Sequence, residues 1–277
     1  MDFLQQTIKF CQENNIKPAR SKGQNFLIRK SVYDKIIEKA FLSKSDVVVE
    51  VGPGLGFLTL EIASRVKKVT AIELDDVLAG LLSQKIHEKN INNVVIINED
   101  ILSDKYSLPD KHYRIIANLP YNITSRFLRK FLSELKNKPD SMVLLLQKEV
   151  AERLIAKPGQ MSLLSVSAQL YADIKILFNV SKDAFWPKPK VDSAVVSLQI
   201  NKILKPSIDE EKFFALVRFG FAGKRKQLQR NLADNLHIDA VDVKKILVKI
   251  GLDEKVRAQE LSVEQWGALF VALNERY

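Results

Sequence analysis

Four short stretches hold residue types that could do chemistry together: Gly52-Pro-Gly-Leu-Gly56, Glu73, Asp100-Ile101 and Asn118-Leu-Pro-Tyr121. Glycines let a backbone come close to a ligand and take dihedrals that other residues avoid. Glu73 follows Gly56 by 17 residues, and a carboxylate there can accept two hydrogen bonds from a ribose diol. The Asp100 carboxylate can accept from the exocyclic amine of an adenine. A glycine turn, two acids and an amide suit a nucleoside cofactor. The turn reads GxGxG rather than the GxGxxG that cradles a pyrophosphate, so on the loop alone NAD and a pyrophosphate-free cofactor such as S-adenosylmethionine both remain open.

Asn118, Leu119, Pro120 and Tyr121 suggest what is done with it. The amine of adenine is a poor nucleophile, because its lone pair is delocalised into the ring. Two acceptors, the Asn118 side-chain oxygen and the Leu119 carbonyl, could bind its two N–H groups, face the nitrogen toward an incoming methyl and stabilise the charge that develops. Pro120 would stiffen the turn, and the Tyr121 ring offers a stacking surface. As an isolated tetrapeptide it reads equally well as a strand-ending turn with a packed tyrosine.

These residues need a scaffold that brings them to one rim. Asp46–Val51, Val69–Glu73, Val94–Asn98, Arg114–Asn118 and Met142–Leu146 read as short apolar strands, with amphipathic helical stretches at 57–66, 75–89 and after Thr124. Alternating strands and helices predict a parallel α/β sheet covered on both faces. Glycine, acid, acid and amide would then end four successive strands, where parallel sheets bind ligands. Residues 1–15 and 31–42 read as helices, as does Val150–Leu170. Ile174–Val180 and Ser193–Ile200 read as antiparallel edge strands, joined by the proline-rich stretch that begins at Asp183. Beyond Pro206 the pattern is all helical (211–222, 224–235, 240–250, 263–274), which predicts domains at 1–204 and 205–277.

The chain has 277 residues, 46% of them hydrophobic and 27% charged, enough for a sizeable core. One cysteine excludes an intrachain disulfide, and three scattered histidines propose no metal site. No apolar run approaches a membrane span and the N-terminus lacks a signal-peptide core, so a soluble, cytoplasmic protein is expected. The net charge of +10 favours a polyanionic partner, nucleic acid before membrane. Two acid-free basic clusters, Lys17–Lys30 and Arg218–Arg230, sharpen that reading. Gly220 and Gly223 could let backbone approach phosphates in the second.

Gln24-Asn-Phe-Leu27, Glu50–Gly56, Glu73, Asn118–Tyr121 and Phe185-Trp-Pro-Lys-Pro-Lys-Val-Asp-Ser193 occur in an order that resembles the ribosomal RNA adenine dimethyltransferases of the small-subunit type. The resemblance spans nearly the whole chain. It implies a Rossmann-like, seven-stranded class I methyltransferase sheet, mostly parallel with an antiparallel edge, and a small helical C-terminal domain. It also implies dimethylation of N6 on two adjacent adenosines near the 3′ end of small-subunit rRNA, with S-adenosylmethionine as donor and no metal. On matching positions, Gln24, Asn25, Leu27, Gly52, Gly54 and Gly56 would meet the methionine end of the cofactor, Glu73 its ribose, and Asp100 and Ile101 its adenine. Asn118 would serve cofactor and target, with Leu119, Pro120, Tyr121 and Phe185 completing the catalytic set. Phe185 would face Tyr121 across an extruded base, with Trp186 in the core. Lys22, Arg29, Lys188, Lys190, Arg218, Lys224, Arg225, Lys226 and Arg230 would contact RNA on the assembling small subunit, the enzyme acting as a monomer. Three alternatives stay open: a large-subunit rRNA methyltransferase of the macrolide-resistance type, a transcription-factor branch on the same fold, and an NAD oxidoreductase. Leu119 and Asp192 favour the small-subunit enzyme over the first.

Overall fold

The structure is a computed structural model that describes residues 3–18, 24–201 and 209–274. The chain opens with α1 (Phe3–Glu13), a two-residue strand β1 (Phe26–Leu27) and α2 (Lys30–Ala40). Then β2 (Val47–Val51), α3 (Phe57–Ala63), β3 (Lys68–Glu73), α4 (Asp76–Glu88) and β4 (Val94–Asn98) alternate. After these come β5 (Arg114–Asn118), α5 (Thr124–Arg129), β6 (Ser141–Gln147), α6 (Lys148–Leu154), α7 (Leu163–Gln169), β7 (Ala172–Val180), β8 (Phe185–Trp186) and β9 (Ser193–Ile200). Helices α8 (Glu210–Gly220), α9 (Leu228–Leu236), α10 (Ala240–Lys249) and α11 (Val263–Asn274) end the chain.

Seven strands form one sheet in the order β4-β3-β2-β5-β6-β9-β7. The pairs β2–β3, β3–β4, β2–β5 and β5–β6 are parallel, and β6–β9 is antiparallel. Strand β2 is nearly all valine because both faces are covered: Val48 and Val49 are fully buried. The order reverses direction around β2 and β5, so a crevice opens beyond their carboxyl ends. A second, two-stranded sheet pairs Phe26 with Trp186 and Leu27 with Phe185, and ties the N-terminal segment beside that crevice.

The chain divides into two compact units, 1–151 with 174–200, and 152–173 with 201–277. The sequence boundary at 204/205 lies outside the described residues, and 152–173 groups with the later helices rather than with the first domain. The reason is local. The N–H groups of Gly159 and Met161 both donate to the Gln259 carbonyl, and the Tyr171 hydroxyl donates to Glu210 at 2.7 Å. The expected helix over 150–170 is two helices, broken at Pro158-Gly159 and restarted by Ser162, whose side chain accepts from the Ser165 N–H. In the second unit, Phe213, Leu232, Leu247 and Trp266 are fully buried and form the centre of its core.

Candidate active site

The four strand ends meet as expected. Gly52, Glu73, Asp100 and Asn118 line one cleft of about 270 Å³, together with Gln24, Asn25, Gly54, Ile101, Leu119, Pro120, Tyr121 and Phe185. Positive φ values at Gly52 (67°) and Gly54 (55°) bend the chain out of β2. A Cβ on Gly52 would stand 3.4 Å from the Asn118 carbonyl oxygen, so glycine keeps the floor of the cleft open.

Glu73 is nine-tenths buried and held on both oxygens. Oε2 accepts the Gly54 N–H and Oε1 the Asp75 N–H, each at 3.0 Å. Burial pushes its pKa up, and the two backbone N–H bonds pull it back. Asp75 caps α4 by accepting from the N–H groups of Val77 and Leu78, while its Oδ2 accepts from Gln24 Nε2 at 3.2 Å. Asp100 Oδ1 accepts the Leu102 N–H at 2.8 Å, and the Glu99 carboxylate accepts the Asp100 N–H at 2.9 Å. One wall of the cleft therefore presents carboxylates whose positions are set by backbone donors.

The opposite wall is the turn after β5. Asn118 lies in register with Leu145 on β6, and the Leu119 N–H donates to the Leu145 carbonyl at 3.3 Å. The Ile123 N–H donates to the Pro120 carbonyl and closes the turn. Tyr121 is half-buried, and its hydroxyl lies 2.9 Å from the Ser193 hydroxyl at the start of β9. Burial raises the Tyr121 pKa, so the phenol stays neutral at physiological pH. A smaller pocket of about 40 Å³, lined by Glu50, Tyr33, Gly52 and Asn118, adjoins the cleft. Glu50 is fully buried and its Oε2 has no hydrogen-bond partner among the described residues.

Several expectations change. Leu27 is buried in the core and lines the smaller pocket, outside the cleft. Gly56 also lies outside it: a Cβ there would collide with Leu82 of α4, so this glycine serves helix packing. Phe185 lines the same cleft as Tyr121, but it is only 3% exposed and packs in the main core. Trp186 is the more exposed of the two and packs around Cys11 and Leu78. Lys188 is held by Asp183 at 2.5 Å, while Arg29 and Lys190 are exposed. Lys22 lies outside the described residues.

In the second unit, Lys224, Arg225, Lys226 and Arg230 line one open groove, and Arg218 is exposed elsewhere. Arg257 joins them, because the Leu228 N–H bonds the neighbouring Val256 carbonyl and brings that turn against α9. Sequence spacing holds no sign of Arg257. Lys226 is less available than expected, since Asp234 pairs with it at 3.0 Å. Gly220 serves packing, since a Cβ on it would meet the Trp266 ring, whereas Gly223 lines the groove; both glycine carbonyls accept from Asn231 Nδ2. In the first unit, Asp75, Glu99, Arg126 and Ser193 are the residues that sequence reasoning left without a role at the cleft. Asp75, an acid immediately ahead of a helix, is the one with a visible signal.

A mostly parallel seven-stranded sheet with antiparallel β9, and a nucleoside-type cleft at its switch point, define a class I methyltransferase. Residues 15–275 match the model of the family described as ribosomal RNA adenine dimethylase, and the chain belongs to that family. It is an S-adenosylmethionine-dependent rRNA adenine dimethyltransferase. It is 40% identical over 271 residues to ribosomal RNA small subunit methyltransferase A of Dehalococcoides mccartyi strain CBDB1, covering 96% of this chain and 92% of the relative. The protein of the same name from Alkaliphilus oremlandii is 37% identical over 273 residues, covering 95% and 94%. Among solved structures, a dimethyladenosine transferase from Plasmodium falciparum superposes with a TM-score of 0.77 at 26% identity, over 89% of this chain and 96% of that one. The 23S rRNA methyltransferase ErmE gives 0.74 at 28%, over 90% and 100%.

The donor set fits S-adenosylmethionine: a fixed carboxylate at Glu73 for hydroxyls, acceptors at Asp100 for an amine, and a glycine floor that admits close approach. Among the described residues no helix is long and apolar enough to cross a membrane.

Proposed function

We propose that this chain dimethylates N6 of two adjacent adenosines near the 3′ end of small-subunit rRNA. The observation that carries the mechanism is the rigid Asn118–Tyr121 turn at the end of the cleft, held by Leu145 on one side and Ser193 on the other. S-adenosylmethionine supplies an electrophilic methyl when bound. Gly52, Gly54, Gln24 and Asn25 shape its methionine end, Glu73 accepts from its ribose, and Asp100 with Ile101 takes its adenine. Asn118 Oδ1 and the Leu119 carbonyl accept the two N–H groups of the target amine, orient the nitrogen and stabilise the positive charge it acquires. No strong base is needed before attack, because the proton leaves an already cationic nitrogen. Tyr121 offers its ring face to the base, and its Ser193 bond keeps that face in place. Phe185 backs this wall from the core.

The similarity to known enzymes favours the small-subunit substrate over the large. The relatives named for the small subunit match at 37–40% identity over nearly full length, against 28% for the 23S enzyme. Asp192 has a structural role: its carboxylate accepts the Lys182 N–H and its carbonyl the Lys148 N–H. In the second unit, the groove of Lys224, Arg225, Arg230 and Arg257 takes RNA phosphates. The test is incubation with labelled S-adenosylmethionine and unmethylated small or large subunits, followed by mapping of modified nucleotides. Label on two adjacent adenosines of the small-subunit RNA is expected; label confined to large-subunit RNA would overturn the reading.

A further inference from the structure

Four carboxylates line the cleft: Glu73, Asp75, Glu99 and Asp100. They suit the hydroxyls and amine of a nucleoside, but they repel a polyanion. A target adenosine extruded from RNA must bring its flanking phosphodiesters to the cleft mouth. Something has to offset the negative wall at that point.

Among the described residues lining the cleft, Arg126 is the sole cation. It sits in α5, one turn beyond the Asn118–Tyr121 segment, and its side chain is exposed. Its basic neighbours are committed elsewhere. Arg129 pairs with Glu134 at 2.7 Å. Lys130 is buried and donates to the Ser103 carbonyl at 2.6 Å and to Asp104 at 3.0 Å. Arg126 has no acid within ion-pair distance among the described residues. Glu99 and Asp100 line the same cleft, each accepting a backbone N–H, and neither pairs with the Arg126 guanidinium among the described residues.

We propose that Arg126 is a substrate-positioning residue that binds a phosphodiester flanking the extruded adenosine. A guanidinium presents paired N–H donors matched to two phosphate oxygens, so it fixes orientation as well as charge. Held at the cleft mouth, the phosphate limits how far the base can turn about its glycosidic bond, and so helps aim the amine at Asn118. The inference rests on the proposed RNA substrate.

The experiment compares wild type, Arg126→Gln and Arg126→Lys on unmethylated small subunits. It measures KM at several salt concentrations, single-turnover rate, calorimetric S-adenosylmethionine affinity and melting temperature. Arg126→Gln should raise KM roughly tenfold or more, as expected for a lost charge-assisted bond, and reduce the slope of log affinity against log salt by about one unit. Arg126→Lys should restore the slope but not the whole of KM, since the paired donors are lost. Cofactor affinity and melting temperature should not move. A wild-type KM and salt slope in Arg126→Gln would overturn the proposal, as would a parallel loss of cofactor affinity. Failure of the wild type itself to label small subunits would instead overturn the substrate reading, and this inference with it.

Discussion

Asn118 is the residue whose role is most sharply separable from its structural setting. Its strand is paired on both sides, with β2 and β6, and the next N–H is bonded to Leu145, so the main chain does not depend on the side chain. Asn118→Ala should therefore keep melting temperature and cofactor affinity. It should lower kcat and kcat/KM together by about 10²–10³, the loss typical of one group aimed at developing charge. Near wild-type single-turnover rates in the folded variant would refute the role. Tyr121 and Ser193 make a second case. Ser193→Ala removes one hydrogen bond, a cost of about 1 kcal/mol, but leaves the ring; it should raise KM for small subunits without abolishing turnover, and Tyr121→Phe should match it. Glu50 concerns pH. Burial first, and the Glu73 charge to a lesser degree, push its pKa up from 4.5 to about 8. Between those values the folded protein holds a proton that the unfolded chain has lost, so stability falls as pH rises from about 4.5 to about 8. A tenfold difference in proton affinity between folded and unfolded chains corresponds to about 1.4 kcal/mol. Glu50→Gln should flatten that fall, as read from denaturant midpoints at pH 5 and pH 8.5; equal pH slopes in the two proteins would show that Glu50 is ionised when folded.

At the scale of elements, the glycine turn divides into two jobs that its sequence does not distinguish. Gly52 and Gly54 floor the cleft, whereas Gly56 begins α3 with φ 76° and lets α4 approach through Leu82. Gly56→Ala adds both left-handed strain and overpacking, each roughly 1–2 kcal/mol. It should lower unfolding free energy while the surviving folded fraction keeps cofactor affinity; Gly52→Ala should weaken cofactor binding more. Unfolding titrations and calorimetry on the two variants decide between them, and an equally stable Gly56→Ala would remove the packing role. The contrast also shows what was legible. β2, β3 and β5 announced themselves through buried β-branched runs, and their ends therefore located Gly52, Glu73 and Asn118. The pair β1–β8 did not, because two-residue strands have no periodicity and owe their existence to partners about 160 residues away in the chain. That pairing is what buries Leu27 and Phe185, and it leaves Phe185 at the cleft wall with little of its surface exposed. Ser193 and Arg257 were invisible for the same reason: each acts through a tertiary neighbour, Tyr121 in one case and the 224–230 cluster in the other.

Over the whole molecule the surplus of ten positive charges is not spread evenly over the functional surfaces. The cleft is acidic apart from Arg126, and the second unit has a groove of five basic residues. The acidic cleft and the basic groove thus lie in different units, each with a core of its own. This separation gives the last prediction. Lys224, Arg225, Arg230 and Arg257 are exposed and none is paired with an acid at ion-pair distance among the described residues, whereas Lys226 is held by Asp234. Replacing the four with Ala should weaken binding to small subunits and reduce the salt slope by up to about 0.9 units per lost phosphate contact. Lys226→Ala should change the slope less than Lys224→Ala, because its charge is already partly satisfied. Neither set touches the cleft, so S-adenosylmethionine affinity should stay at the wild-type value. The melting temperature should also hold, since all four side chains are solvated. Binding of the fourfold variant to small subunits is measured across a salt series, with calorimetry on the cofactor beside it. A wild-type slope would make the groove a solvated surface, and a loss of cofactor affinity would show that the two units do not work separately.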